Sequence, residues 1–331
     1  MQRKIRHRWV IGFTFCFSWF VIGLGAFTRL TDSGLSCPDW PGCYGKLYVG
    51  KMGSVVSHFR MWAEMSHRYA VLLLTIFIIL VLMVLWLNKC HVKPLQWFFA
   101  ILLLLLLIYQ PLLGMWTVTL QLHPSIVSQH LLSGLSLMVL IGVQWLYFSN
   151  YYSQPVSIKR RSFFGVGGLV ILILCYGQLF LGAWTSTNYA ALSCDSFPFC
   201  HIDPWLYQFK EAFNLWRPLG DNYSGGVISE DARRTIQVVH RLGALIVGVC
   251  ISVWIGMLVS VVRSLRLLLW CYFVVFLLLL QVIWGLFVVY FSHPLTIALL
   301  HTLTAGALLM SIVTLNYQLW CVNKGGYPRV E

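Results

Sequence analysis

Eight stretches of this chain are long and apolar enough to cross a bilayer, and they restrict the fold more than any single residue does. A helix of about 20 mainly apolar residues spans roughly 30 Å of hydrocarbon. The stretches cover about 9–28, 62–87, 95–117, 126–148, 163–186, 237–262, 266–290 and 296–320. Backbone in lipid must satisfy its own polar groups, so runs of this length are expected to be helices. The expected class is an all-α integral membrane protein with eight transmembrane helices. Only 10% of the residues are charged, against about 25% in soluble domains, and 59% are hydrophobic, which rules out a soluble chain. The basic start, Met1 to Arg8, precedes an apolar run as in a signal peptide. It has no small-residue cleavage site, so it reads as a retained first helix.

A net charge of +13 is compatible with nucleic-acid binding, but the basic residues sit in short connections between apolar runs. That distribution orients membrane helices instead. Arg3, Lys4, Arg6 and Arg8 lead the chain, Lys89 and Lys93 follow the second span, and Lys159, Arg160 and Arg161 follow the fourth. Arg263 and Arg266 separate the sixth and seventh spans, and Lys324 and Arg329 follow the eighth. With eight spans all these segments share one face, expected to be the cytoplasmic face of a bacterial inner membrane, with both termini inside. Two long external segments remain, about 29–61 and 187–236. Within the second, Leu219 to Gly226 reads as a mobile loop.

The two halves repeat one another. Gln110-Pro-Leu-Leu-Gly-Met-Trp116 echoes Gln281-Val-Ile-Trp-Gly-Leu-Phe287, and Gly25-Ala-Phe-Thr28 echoes Gly182-Ala-Trp-Thr185. Glu64-Met-Ser-His-Arg68 echoes Gln237-Val-Val-His-Arg241, and His123-Pro124 echoes His293-Pro294. Residues 1–150 and 151–331 are therefore expected to form two tandem four-helix bundles related by a pseudo-twofold axis along the membrane normal.

His67 and His130 lie 63 residues apart, and His240 and His301 lie 61 apart. An ionisable side chain inside a span is costly and marks function. All four are expected about five residues inside the outer ends of even-numbered spans, roughly 8 Å deep at 1.5 Å per residue. Two neutral imidazoles on facing helices suit axial ligation of one haem iron per half. Zinc fits less well, because it usually takes four protein ligands. Arg68 and Arg241 directly follow their histidines and match the bidentate geometry of a propionate, or else snorkel to the interface. Glu64 lies one turn from His67, where the second half has Gln237, so chemistry is expected in the first half and electron transfer in the second, unless Glu64 is an interfacial carboxylate paired with Arg68 or Arg60. His123 and His293 read as turn residues, and His7, His58, His91 and His201 as surface residues. Cys37 with Cys43, and Cys194 with Cys200, can each close a local disulfide outside the membrane, either as a staple or as a labile redox pair. Cys16, Cys90, Cys175, Cys250, Cys271 and Cys321 read as free thiols.

The run Gly25 to Ser36 followed by Cys37 and Cys43, the Glu64-Met-Ser-His-Arg68 helix, the Gln129-His130 helix, His240-Arg241 and the His301 helix together resemble the haem A synthase family. The resemblance covers nearly the whole chain in order. It implies oxidation of the C8 methyl of haem O to a formyl group, giving haem A for terminal oxidases. It also implies that His240 and His301 ligate a resident haem b, that His67 and His130 ligate the substrate haem, and that Glu64 takes part in the oxidation. Cys37–Cys43 matches a first-loop disulfide found in one subgroup of the family. The implied partners are haem O and haem A, the haem O synthase (protohaem farnesyltransferase), an electron acceptor or donor such as quinone or ferredoxin, and the lipid bilayer, with no nucleic acid. The rival expectations are a bis-histidine b-type cytochrome taking electrons from quinol, and a haem carrier without catalysis.

Overall fold

The computed structural model describes residues 2–50, 55–149, 161–194, 200, 205–219 and 221–321. Nine α-helices are present among them: α1 (Gln2–Leu30), α2 (Val55–Leu87), α3 (Pro94–Thr119), α4 (Pro124–Ser149), α5 (Arg161–Thr187), α6 (Trp205–Ala212), α7 (Glu230–Val261), α8 (Leu265–Tyr290) and α9 (Leu295–Cys321). All except the short α6 are long and apolar enough to cross a membrane, eight in number as the sequence predicts. No strand occurs among the described residues. Lys159, Arg160, Lys324, Arg329, His201 and the expected boundary at 150–151 lie outside those residues.

Residue chemistry explains how the helices begin and end. Pro94 and Pro124 each stand at a helix start, where a missing N–H costs nothing. Ser229 caps α7 by accepting the Ala232 N–H, and Glu230 and Asp231 follow at the positive end of the helix dipole. α1, α3, α5 and α8 finish alike, with an N–H reaching back five residues: Ser33 to Thr28, Leu122 to Thr117, Ala190 to Thr185 and His293 to Val288. The chain reverses through left-handed residues at Asp32, Gln121, Leu122, Tyr189, Ser292 and His293. These closures place Leu122 opposite His293 in the repeat, so the two His-Pro pairs are one residue out of register rather than equivalent.

In residues 2–149, α1 packs on α2 and α4, and α3 packs on α4, while α2 and α3 touch more lightly. In residues 161–321, α5 packs on α7 and α9, and α8 packs on α9, with a lighter α7–α8 contact. α4 against α5, α1 against α9 and α4 against α9 join the two sets. One core cluster fills the first set through Ile11, Ile78, Leu103 and Ile141. The largest cluster runs through α4, α5, α7, α8 and α9 and takes in Phe15 and Trp19 of α1.

α1, α2 and α7 begin ahead of their apolar runs. α2 begins at Val55 and α7 at Glu230, each seven residues earlier than hydropathy suggests. Neighbouring segments cover these turns. Cys37 and Cys43 pack on Met61 and Met65 of α2, and Cys194 and Cys200 pack on Val238 of α7, just beyond its extra turns. Ala232 and Ile236 in the extra turns of α7 pack with Trp184, Ala190 and Ala212. His67 lies 12 residues after the first residue of α2 and His240 10 after that of α7, against 6 for both His130 and His301.

Candidate functional site

Each half brings its two predicted histidines together. His67 on α2 and His130 on α4 lie within electrostatic range of one another, as do His240 on α7 and His301 on α9. All four imidazoles are partly buried. The Nδ1 atoms of His67, His130 and His301 are buried without a hydrogen-bond partner. Leaving such a nitrogen unsatisfied costs about 1–3 kcal/mol, so these rings are poor structural fillers. Among the described residues no three His, Cys, Asp or Glu side chains converge, and metal binding is not shown by the donor set alone. Two imidazoles per half fit a group that brings its own equatorial nitrogens, such as a haem, and not a bare ion.

Amide side chains reach the histidines from neighbouring helices, and the halves differ here. Gln110 of α3 donates to the His130 carbonyl at 3.1 Å and also to Ser133. In the second half Gln281 of α8 instead contacts Nε2 of His301 at 3.2 Å. Gln178 of α5 contacts Nδ1 of His240 and donates to its carbonyl, both at 3.0 Å. Gln110 and Gln281 stand in the repeated motif, but sequence reasoning assigned them no role. An amide in the middle of the α5 span was the available signal for Gln178.

The contrast between Glu64 and Gln237 has a structural counterpart in the loops. Both side chains are buried, at 4% exposure. Oε2 of Glu64 accepts the Cys37 N–H at 2.9 Å, and its Oε1 accepts from Arg68. Gln237 does the reverse and donates to the Ala191 carbonyl at 3.1 Å. One half therefore offers an acceptor to a loop N–H, and the other offers a donor to a loop C=O.

Arg68 is committed to the same loop. Its Nη1 donates to the carbonyls of Asp39 at 2.8 Å, of Pro41 at 3.2 Å and of Gly42. The structure thus gives this guanidinium backbone and carboxylate acceptors already in place. Asp39 closes the loop from within, accepting N–H groups from Tyr44 at 2.6 Å and Gly45 at 2.7 Å. The Gly45 N–H chiefly holds this carboxyl below the usual range, with help from Tyr44, its own backbone and Arg68, against the opposing effect of burial. Both expected disulfides are formed, Cys37–Cys43 and Cys194–Cys200. Cys16, Cys90, Cys175, Cys250 and Cys271 are free.

Two expectations need correction, and a third is extended. His7 is not a surface residue: it is 8% exposed and its Nδ1 lies 3.1 Å from Asn88 at the end of α2, because the first helix continues past the apolar run. His123 does stand in a turn, but it is buried at 4% exposure and does more than shape the backbone. Its Nε2 meets the Arg217 carbonyl at 3.3 Å and its ring stands edge-on to Tyr223. Tyr223, 2% exposed, also donates its N–H to the Gln121 carbonyl, so the Gly-rich stretch is pinned at this point where a mobile loop was expected.

Residues 7–313 match the family model described as COX15-CtaA, cytochrome oxidase assembly protein. The chain is 36% identical to the heme A synthase of Shewanella oneidensis, an alignment covering 94% of this chain and 96% of that one. It is 25% identical to the heme A synthase of Halalkalibacterium halodurans over 88% and 90% of the two chains. It is also 25% identical to that of Bacillus cereus over 93% and 91%. A purely electron-transferring cytochrome finds no support in these relatives.

Proposed function

We propose that this chain, which belongs to the COX15-CtaA family of cytochrome oxidase assembly proteins, is a haem A synthase that oxidises the C8 methyl of haem O to a formyl group. One observation carries the assignment of roles: two similar, partly buried histidine pairs, only one of which has a carboxylate one turn away. Residues 1–150 form the substrate half, with His67 and His130 as ligands of haem O. Residues 151–331 form the resident half, with His240 and His301 as ligands of haem b. The packing of α1 to α4, repeated by α5 and α7 to α9, supports that division.

The protein's part in the reaction follows from its side chains. His67 and His130 fix the substrate macrocycle beside Glu64. Two successive two-electron oxidations of the methyl carbon, each taking one oxygen from water and releasing two protons and two electrons to the acceptor, give a hydrated aldehyde that loses water. Glu64 is placed to receive a proton or to balance cationic charge. Each carboxylate oxygen has lone pairs beyond the one used by Cys37 or Arg68. Arg68 holds that carboxylate and the disulfide loop in register, and Arg241 is assigned a propionate contact in the second half. A bound haem b supplies one-electron chemistry, with a quinone or ferredoxin as the partner that accepts the electrons. The short basic connections favour cytoplasmic termini in a bacterial inner membrane. A farnesylated haem suits direct transfer from the haem O synthase.

The test is to express the chain with a haem O supply and extract the membrane pigments. Haem A is expected. Accumulation of haem O with no haem A overturns the reading.

A further inference from the structure

Each of the four histidine rings abuts a glycine on a neighbouring helix. A Cβ built on Gly25 of α1 would lie 2.9 Å from Cε1 of His67 and 3.3 Å from its Nε2. On Gly182 of α5 it would lie 3.3 Å from Cε1 of His240, and on Gly285 of α8 3.2 Å from Cε1 of His301. On Gly114 of α3 it would lie 3.5 Å from Cε1 of His130. Gly25 and Gly182 hold corresponding places in the repeat, as do Gly114 and Gly285. One arrangement therefore occurs four times: a histidine from α2, α4, α7 or α9 faces a bare backbone on α1, α3, α5 or α8.

Helix propensity does not explain these glycines. Alanine is the better residue in a helix interior, and four glycines at matched places weaken the helices that carry them. Other glycines of the same bundle lack this neighbour, since a Cβ on Gly177 of α5 or on Gly248 or Gly256 of α7 meets nothing within 4 Å. We propose that Gly25, Gly182 and Gly285 are positioning residues for haem ligation. They leave the imidazole edge the room it needs to turn its ligating nitrogen toward the iron, and Gly114 does so with space to spare. A methyl group obliges the ring to give by a few tenths of an ångström at Gly182 and Gly285, and to shift further at Gly25. The inference rests on the haem reading above and extends it to residues that touch only the ligands.

The experiment purifies the wild-type chain with Gly182→Ala, Gly285→Ala, Gly25→Ala and Gly114→Ala, and takes Gly177→Ala and Gly248→Ala as controls. It measures haem per protein by pyridine haemochrome, the low-spin absorbance spectrum, and the melting of the haem-free protein. Gly182→Ala and Gly285→Ala are expected to weaken retention of haem b about threefold, the low end of an off-rotamer cost. Gly25→Ala should give the greatest loss of added haem O from the first half, and Gly114→Ala the least. The haem-free melts should hold or rise, as alanine in a helix predicts, and the controls should match wild type in haem. Wild-type haem content and spectrum in Gly182→Ala and Gly285→Ala would overturn the inference. A fall in the haem-free melt that accounts for the haem loss would also overturn it, by assigning the glycines to helix packing. If the wild-type chain itself takes up no haem, the functional reading fails first, a result distinct from both.

Discussion

At the scale of single residues, Glu64 and Gln237 carry the asymmetry that the repeat would otherwise hide. The carboxylate holds a loop N–H and an arginine, and the amide holds a loop carbonyl, so neither is a free replacement for the other. Glu64→Gln keeps an oxygen for the Cys37 N–H but loses the charge that answers Arg68. The expected outcome is normal haem b content with no formyl product, measured by the absorbance spectrum and by chromatography of extracted haems; haem A at the wild-type yield would remove Glu64 from the chemistry. The reciprocal change, Gln237→Glu, sets a carboxylate against the Ala191 carbonyl and removes a donor. It should destabilise the protein by about 1–3 kcal/mol, the cost of an unsatisfied buried polar group, measured as a lower unfolding temperature in detergent.

At the scale of elements, the disulfide loops and the helices they cover behave as units. The first loop is closed three times, by Cys37–Cys43, by Asp39 onto Tyr44 and Gly45, and by Arg68 onto three carbonyls. Because the Asp39 carboxyl is held below its ordinary value in the folded loop, its contribution is complete above the unfolded value of about 3.9. It is lost only as pH falls through the lower folded value. Hydrogen exchange at the Tyr44 and Gly45 amides should therefore stay protected from neutral pH down to about 4 once intrinsic exchange is corrected for, and fail below that. Loss of protection starting well above that pH would show that Asp39 does not hold the loop.

At the scale of the whole molecule, the halves are tied at one end by contacts that cross between repeats. Nη2 of Arg29 at the end of α1 donates to the Ser186 carbonyl of α5 at 2.6 Å. The guanidinium also lies 4.2 Å from the Tyr189 ring centroid, and the Tyr189 hydroxyl donates to Asp32 at 3.0 Å. The connection that follows α5 returns to the first set, where Ser125 donates to the Leu215 carbonyl at 2.7 Å and Tyr223 docks beside His123. Burial pushes the His293 imidazole below its usual range, chiefly through desolvation and then through Arg29, which puts the α8–α9 turn at the same junction. A double-mutant cycle of Arg29→Ala with Tyr189→Leu should give a coupling of about 0.5–2 kcal/mol in thermal unfolding. Strict additivity would mean that the Arg29–Tyr189 contact does not help hold the halves together.

Much of this was legible in the chain itself. The spans follow from runs of apolar side chains, which need no partner to be recognised, and the four histidines stand out because lipid penalises them. The matched Gly25/Gly182 and Gln110/Gln281 motifs were visible as repeats, yet their meaning was not. A glycine facing an imidazole and a glutamine touching one are relations between helices, and spacing along one helix does not report them. The extra turns of α2 and α7 were hidden for a related reason. Their first turns are polar enough to read as loop, and what covers them comes from segments distant in sequence. His123 and Tyr223 show the same limit, lying 100 residues apart and meeting only in the fold. The sequence by itself determined the class, the number of spans, the internal repeat and which side chains are too costly to lie in lipid without a task. The tertiary structure alone decided which helices meet, which atoms of Glu64, Gln237 and Arg68 are engaged, and where a missing Cβ leaves room for a ring. Burial in lipid acts on each residue in turn and can be read locally, whereas hydrogen bonds and steric fit depend on neighbours that only packing supplies.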